Sequence, residues 1–179
     1  MGAICQSLGR TVVAGIVVLV VLLLIVGQAT GTWVGLSSHA WWAFFFRWLH
    51  VLSGVMWIGL LWYFNFVQIP SMPKIPDEQK PAIGKVIAPA ALFWFRWAAL
   101  ATVVTGLLLG WMNGYIVDAL SLKKGVHAIG IGMWLGLLMA FNVWFIIWPN
   151  QKKALGMVQV EAAEKASAAR MAMLTSRFN

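Results

Sequence analysis

Four long apolar stretches dominate this sequence and restrict the folds that are open to it. They lie near residues 11–30, 43–68, 90–112 and 126–148, and each approaches or exceeds the roughly 20 residues that a helix needs to cross a bilayer. They are too long and too continuous for barrel strands, whereas a helix satisfies its own backbone hydrogen bonds in lipid. We therefore expect an all-α, polytopic membrane protein with four transmembrane helices.

The composition agrees with a membrane protein, because hydrophobic residues make up 61% of the 179 residues and charged residues only 10%. A soluble domain would need a more charged surface. We expect residues 1–40 to comprise a retained, lipid-facing helix and an outer loop, rather than a cleaved signal peptide. Residues 41–179 are expected to form the main membrane domain. Its Ala-rich segment 151–178 is predicted to be a cytoplasmic helix that leads towards a further span.

Lys and Arg residues are distributed unevenly between the two predicted sides of the membrane. Nine of the thirteen lie on the side of the N terminus, and only Lys123 and Lys124 lie on the other side. Since positive charge favours the cytoplasmic side, this bias predicts a cytoplasmic N terminus. The net charge of +8 then indicates topology and contact with anionic lipid headgroups. It does not indicate nucleic-acid binding, because no basic stretch outside the spans is interleaved with aromatic residues.

The second apolar stretch contains two ionisable residues, Arg47 and His50, which are costly at membrane depth and therefore point to a function. At spacings of three and four, His50 shares a helical face with Arg47, Gly54 and Trp57. A neutral imidazole binds metals well, Gly54 would leave room for a flat macrocycle, and Arg47 could pair with a carboxylate. The pattern supports a buried redox cofactor as one of two equally good interpretations. The alternative is a His50 that hydrogen-bonds a neighbouring helix while Arg47 extends to the headgroups.

Other candidate residues have more ordinary interpretations. His127 falls on the same predicted side as His50, so it is a candidate second metal ligand or an interfacial residue. Trp134 lies deeper than the tryptophans of the interfacial belts and could line a cofactor. Arg96 is expected to extend to the headgroups. Two stripes of small residues predict close helix packing. They are Gly106 and Gly110 in the third span, and Gly132, Gly136 and Ala140 in the fourth.

Several kinds of cofactor site have no sequence signal in this chain. Cys5 is the only cysteine, and no Cys-x-x-Cys-His motif is present for covalent attachment of a c-type haem. Dinucleotide-binding and phosphate-binding glycine motifs, and serine-centred nucleophile motifs, are also missing from the sequence. Covalent attachment of a c-type haem is therefore excluded for this chain.

Three segments resemble the membrane domain called the urate oxidase N-terminal family. They are Arg47–Gly59, Phe93–Trp97 and Phe141–Lys152. The resemblance covers about residues 41–179, and the first span is an addition to the family core. It implies a bacterial inner-membrane protein that binds haem b through His50, with Arg47, Gly54, Trp57 and His127 as further cofactor-site residues. It also implies a possible oxidoreductase of the urate hydroxylase type, with electrons passing to a separate c-type cytochrome.

Two other functions remain open from the residues alone. The chain could be a non-catalytic accessory subunit of a larger respiratory or photosynthetic membrane complex, with Arg47 and His50 contacting a partner or its pigment. It could also be a small-solute transporter, although the sequence shows no inverted repeat and no pair of broken helices.

Overall fold

The structure, a computed structural model, describes residues 2–31, 35 and 37–179, and their regular structure is helical with no strand. The helices are α1 (Gly2–Cys5), α2 (Leu8–Thr30), α3 (His39–Lys74), α4 (Lys80–Met112), α5 (Ile116–Leu120), α6 (His127–Ala154) and α7 (Ala162–Phe178). Of these, α2, α3, α4 and α6 are long and apolar enough to cross a membrane, which confirms the predicted all-α class with four candidate spans. The predicted outer loop includes Thr32, Trp33, Val34 and Leu36, which lie outside the described residues.

The chain divides into two compact units, residues 1–44 and 45–179, which are described separately. In the first unit, Gly27 is the only buried residue of α2, and the valine and leucine side chains are exposed around the whole helix. The helix ends at Gly31, whose φ of 66° lies in the left-handed region that favours glycine. Because an apolar helix with no buried face needs lipid around it, α2 agrees with the predicted membrane span.

The core of residues 45–179 lies where α3, α4 and α6 meet. Its buried side chains recur at spacings of three and four, so each helix presents one face to the others. They are Trp57, Leu61 and Phe64 from α3, Leu92, Phe95, Ala98 and Ala99 from α4, and Val143 and Ile147 from α6. The rings of Phe64 and Phe95 meet edge to face, with centroids 5.9 Å apart. The three spans are therefore closely packed at this level of the bundle.

Prolines account for wider, π-helical turns inside the three long helices of this unit. The wide turns are Tyr63–Gln68, Ile83–Ile87 and Asn142–Ile147, and they end two residues before Pro70, Pro89 and Pro149. A proline has no N–H for the carbonyl four residues earlier, and a local π-helical turn lets that carbonyl find another donor. The helices consequently continue through their prolines.

The connection between α3 and α4 is short. Four prolines among residues 69–81 predict that this segment is not helical throughout, and residues 75–79 lie outside the helices. Here Lys80 Nζ donates to Asp77 Oδ1 at 2.6 Å, and the ammonium holds the pKa of the Asp77 carboxyl below its usual range. Asp77 is thus a solvated charge.

The short helix α5 packs tightly against the adjoining ends of α4 and α6. A β-carbon on Gly110 of α4 would lie 3.3 Å from the β-carbon of Ile116 in α5. Gly130 of α6 lies so close to the backbone carbonyl of Ala119 that no β-carbon would fit there. These two close approaches place α5 firmly against both spans.

The C-terminal helix begins later than predicted and folds back on the preceding span. Residues 151–154 belong to α6, and after a turn at Gly156, which has a φ of 73°, α7 starts at Ala162. α7 packs along the last turns of α6 and buries small residues on one face, namely Ala168, Ala172 and Ser176. Its end is held by Asn142 Nδ2, which donates to Asn179 Oδ1 at 2.7 Å.

Arg96 is buried, which corrects the expectation that its side chain extends to the headgroups. Only 9% of the residue is exposed, and its guanidinium carbon lies 3.4 Å from the centroid of the Trp148 ring. The ammonium of Lys152 lies 5.7 Å from the same centroid. In the described part of the chain no carboxylate pairs with Arg96. The face of Trp148 is thus the partner that the structure gives this cation.

Candidate functional site

A cavity of about 480 Å³ lies between α3, α4 and α6, on one side of the core. Its lining includes Arg47, His50 and Trp57 from α3, Thr102, Val103, Gly106 and Leu107 from α4, Tyr115 before α5, and Ile129, Gly132, Met133, Gly136 and Leu137 from α6. Most of these side chains are apolar, with a few polar or basic groups among them. That volume and composition are typical of cofactor and ligand sites, which run from about 300 to 1,000 Å³.

His50 is held against α4 by two contacts of the same ring nitrogen. Its Nδ1 lies 2.9 Å from the carbonyl oxygen of Thr102 and 3.1 Å from Oγ1 of Thr105. The Thr105 hydroxyl donates to the carbonyl of Ala101 at 2.6 Å, so its oxygen is available as an acceptor. The network therefore assigns the proton to Nδ1, which donates to both threonines. This leaves the lone pair on Nε2, for which the described residues provide no hydrogen-bond partner.

Gly106 has no side chain, which lets the imidazole of His50 lie close to the backbone of α4. A β-carbon at this position would lie 2.9 Å from Cε1 and 3.3 Å from Nδ1 of His50. Thr105, next to it, is buried with 9% of its surface exposed. The ring is thus fixed on one side by Gly106 and oriented by the two threonine oxygens. A metal-binding histidine is held in the same way when its other nitrogen donates to a backbone carbonyl.

The glycine stripes of α4 and α6 have different roles, although the sequence predicts close helix packing for both. On α4, Gly106 lies against His50 and Gly110 against α5, as predicted. On α6, β-carbons added at Gly132 and Gly136 would meet no atom within 4 Å. The prediction is therefore wrong for these two residues, which line the cavity. Gly130 lies against α5, whereas the positions of Gly132 and Gly136 face open space.

The structure brings together three of the five residues predicted for the cofactor site. Arg47, His50 and Trp57 all line the cavity, Trp57 with only 3% of its surface exposed. Gly54 does not line it, and a β-carbon there would approach the Thr102 methyl group at 4.0 Å. His127 is exposed at the start of α6 and does not line the cavity either. The ligand roles assigned to His50 and His127 stay predictions.

Trp134 also lies away from the cavity. It is 47% exposed, and its indole N–H donates to the carbonyl of Leu120 at 3.0 Å. This hydrogen bond joins α6 to the end of α5. Its position in the sequence indicates a depth suited to lining a cofactor, but depth does not specify which face of the helix a side chain occupies.

Two lining residues that could ligate a metal were not singled out from the sequence. They are Tyr115, in the turn before α5, and Met133, which follows Gly132 on α6. Phenolate and thioether ligands both occur on haem iron. A sequence signal that could have identified Met133 is its position between Gly132 and Gly136. The structure shows that all three residues line the cavity. Nothing comparable marks Tyr115, since its position depends on how the α4–α5 turn folds.

The site is basic and has few possible metal ligands. Arg47 is exposed at the cavity, and no ion pair between Arg47 and a carboxylate occurs among the described residues. No group of three or more His, Cys, Asp or Glu side chains gathers anywhere in residues 2–31, 35 and 37–179. This donor set does not suit a metal ion held by protein ligands alone. It suits a metal that arrives within an organic ligand and needs only one or two ligands from the protein.

Comparisons with protein-family models, with curated proteins and with solved structures found no match for this chain.

Proposed function

We propose that this chain is an integral membrane redox protein that binds haem b through Nε2 of His50. The observation that carries the proposal is the orientation of the imidazole, whose Nδ1–H donates to Thr102 at 2.9 Å inside a cavity of about 480 Å³. Donation from Nδ1 leaves the lone pair on Nε2, where it can bind a metal. The cavity walls around the imidazole are mostly apolar.

The lining residues fit a haem in three further respects. Gly132 and Gly136 leave a flat wall on α6, opposite the helix that carries His50. Arg47 supplies a cation for a haem propionate, which would otherwise be an unpaired charge near hydrocarbon. Trp57 and the aliphatic side chains exclude water from the remaining walls. When bound, the haem supplies an iron that accepts and releases single electrons.

The wider role that we propose follows the resemblance to the urate oxidase N-terminal family. A haem held by His50 and Arg47 would supply one-electron transfer from a small reductant such as urate to a separate c-type cytochrome in a bacterial inner membrane. In this role the protein's own residues bind and orient the cofactor. The two threonines hold the proton at Nδ1, and Arg47 balances the charge of the propionates.

A visible absorption spectrum of the purified protein tests the proposal directly. We expect a Soret band and reducible bands of the b type, with close to one haem per chain. A spectrum without haem, from cells that supply haem to other proteins, would contradict the proposal. It would instead support an accessory subunit in which the His50–Thr102 bond only joins two helices.

We also propose that the N terminus lies in the cytoplasm, on the basis of the nine-to-two distribution of Lys and Arg. A reporter enzyme fused after Asn179 should then be active on the cytoplasmic side. One inserted between Gly31 and Ala40 should be active only on the periplasmic side. The reverse pattern would show that the orientation is inverted.

A further inference from the structure

The end of α7 lies at the depth of the membrane, although α7 itself is too short and too polar to be a span. Asn179 Nδ2 donates to the carbonyl of Met139 at 3.2 Å, and Asn142 donates to Asn179 at 2.7 Å. α6 has 28 residues, and about 20 are needed to cross a bilayer. Any such segment of α6 includes both Met139 and Asn142. The last turn of α7 therefore lies beside the membrane-crossing part of α6.

A second cavity, of about 370 Å³, lies between this last turn and α3. Its α3 wall contains Leu61, Trp62, Asn65 and Phe66, and its α7 wall contains Ser176, Arg177 and Asn179. Asn65 Nδ2 donates to Ser176 Oγ at 3.0 Å and joins the two walls. The cavity thus has an apolar aromatic side and a side with amide, hydroxyl and guanidinium groups.

The two aromatic side chains of this cavity are exposed on a candidate membrane helix, where lipid can cover them. Trp62 is 60% exposed and Phe66 is 75% exposed, and both belong to a helix that is apolar enough to cross the membrane. Beside them, the side chain of Arg177 is also exposed. An amphiphile with one apolar and one anionic end matches this combination of walls.

The charge of Arg177 has no counterion within the described part of the chain. The three ion pairs there join Lys80 to Asp77, Lys123 to Asp118 and Lys153 to Glu164, and none involves Arg177. An unpaired charge at membrane depth is costly. The guanidinium's fork of N–H donors pairs well with phosphate, the anion that the membrane itself provides.

We infer that this cavity binds an anionic phospholipid, with the phosphate on Arg177 and an acyl chain along Trp62 and Phe66. The lipid would fill the space between α3 and α7 and help to hold the C-terminal helix against the bundle. The site is separate from the His50 cavity, and none of its lining residues lines that cavity.

Native mass spectrometry of the full chain in detergent, titrated with phosphatidylglycerol or phosphatidylcholine, tests the inference. Wild-type protein should retain phosphatidylglycerol more strongly than phosphatidylcholine. Arg177→Gln should weaken retention of phosphatidylglycerol about fivefold, the usual effect of one basic residue near anionic lipid. Arg177→Lys should keep most of the preference, because it keeps the charge.

Arg170→Gln is the matched control, because Arg170 is also exposed on α7 and has no ion pair among the described residues, but does not line the cavity. It should leave lipid retention unchanged. Equal losses in the Arg170 and Arg177 variants would show a diffuse charge effect and overturn the site. Equal retention of both lipids would overturn it as well. Binding of inorganic phosphate that depends on Arg177, without lipid binding, would overturn it too and identify a free-anion site instead.

Discussion

Protein that carries His50→Ala should be purified without haem, whereas the wild-type protein should contain it. The substitution removes the imidazole that lines the cavity, so occupancy should fall by more than about tenfold, since even the loss of a partner behind a metal ligand costs about 10- to 100-fold. Insertion into the membrane should be unaffected, because it depends on the apolar spans as a whole and the exchange of one side chain changes little there. The measurement is the ratio of Soret to protein absorbance, with membrane yield as the reference.

Two further variants test whether the loss of haem in His50→Ala protein is due to the loss of an iron ligand. His127→Ala should retain haem, because His127 is exposed and lies outside the cavity lining. Gly106→Ala should reduce retention with His50 still present, because its β-carbon would lie 2.9 Å from Cε1 and displace the ring from Thr102. If His50→Ala protein kept an unchanged haem spectrum, His50 would be a helix-packing histidine and the ligand assignment would be wrong.

Replacement of Trp148 by alanine should cause a large loss of stability. The indole lies 3.4 Å from the guanidinium carbon of Arg96, which is buried and has no carboxylate partner in the described chain. Truncating a packed tryptophan costs about 3–5 kcal/mol, and it also leaves this buried cation without its aromatic partner. We expect the midpoint of thermal unfolding in detergent to fall on the order of 10 °C.

A double-mutant cycle separates the cation–π contact from simple loss of packing. Arg96→Met keeps a long apolar side chain and removes the buried charge, so it should cost little. In its presence, Trp148→Ala should destabilise the protein less than in the wild type. Trp94→Ala, at an indole that is 55% exposed on α4, should change the midpoint only slightly. If the effects of the Arg96 and Trp148 substitutions on stability are additive, the cation–π contact makes no separate contribution to stability.

The sequence is sufficient to predict the four candidate membrane helices, because long apolar runs leave a chain few alternatives in a membrane. It is less informative about where they end. The prolines at 70, 89 and 149 are residues that ordinarily limit helices, yet π-helical turns before them allow α3, α4 and α6 to continue. The turn at Gly156 is likewise not predicted, since a lone glycine does not reveal that α7 will fold back on α6.

The candidate site can be predicted only in part. His50, Arg47 and Trp57 stand out because ionisable and bulky residues on one face of an apolar helix can be recognised from spacing alone. Their neighbours on other helices cannot be recognised in this way. The partners of His50 on α4 are Thr102 and Thr105, which are far from it in sequence. Threonine is common in membrane helices, so neither residue is recognisable as a partner from the sequence.

The sequence by itself determined that this is an all-α chain with four candidate membrane helices, and it marked the polar face of α3. Only the tertiary structure decided what each small or charged residue does. Gly132 and Gly136 line a cavity while Gly106 and Gly110 are packed, although the two stripes look alike in sequence. Arg96 is buried under Trp148 rather than extended to the headgroups. The physical reason is that helical periodicity specifies which residues share a face, whereas the packing of α5 and α7 decides what that face meets.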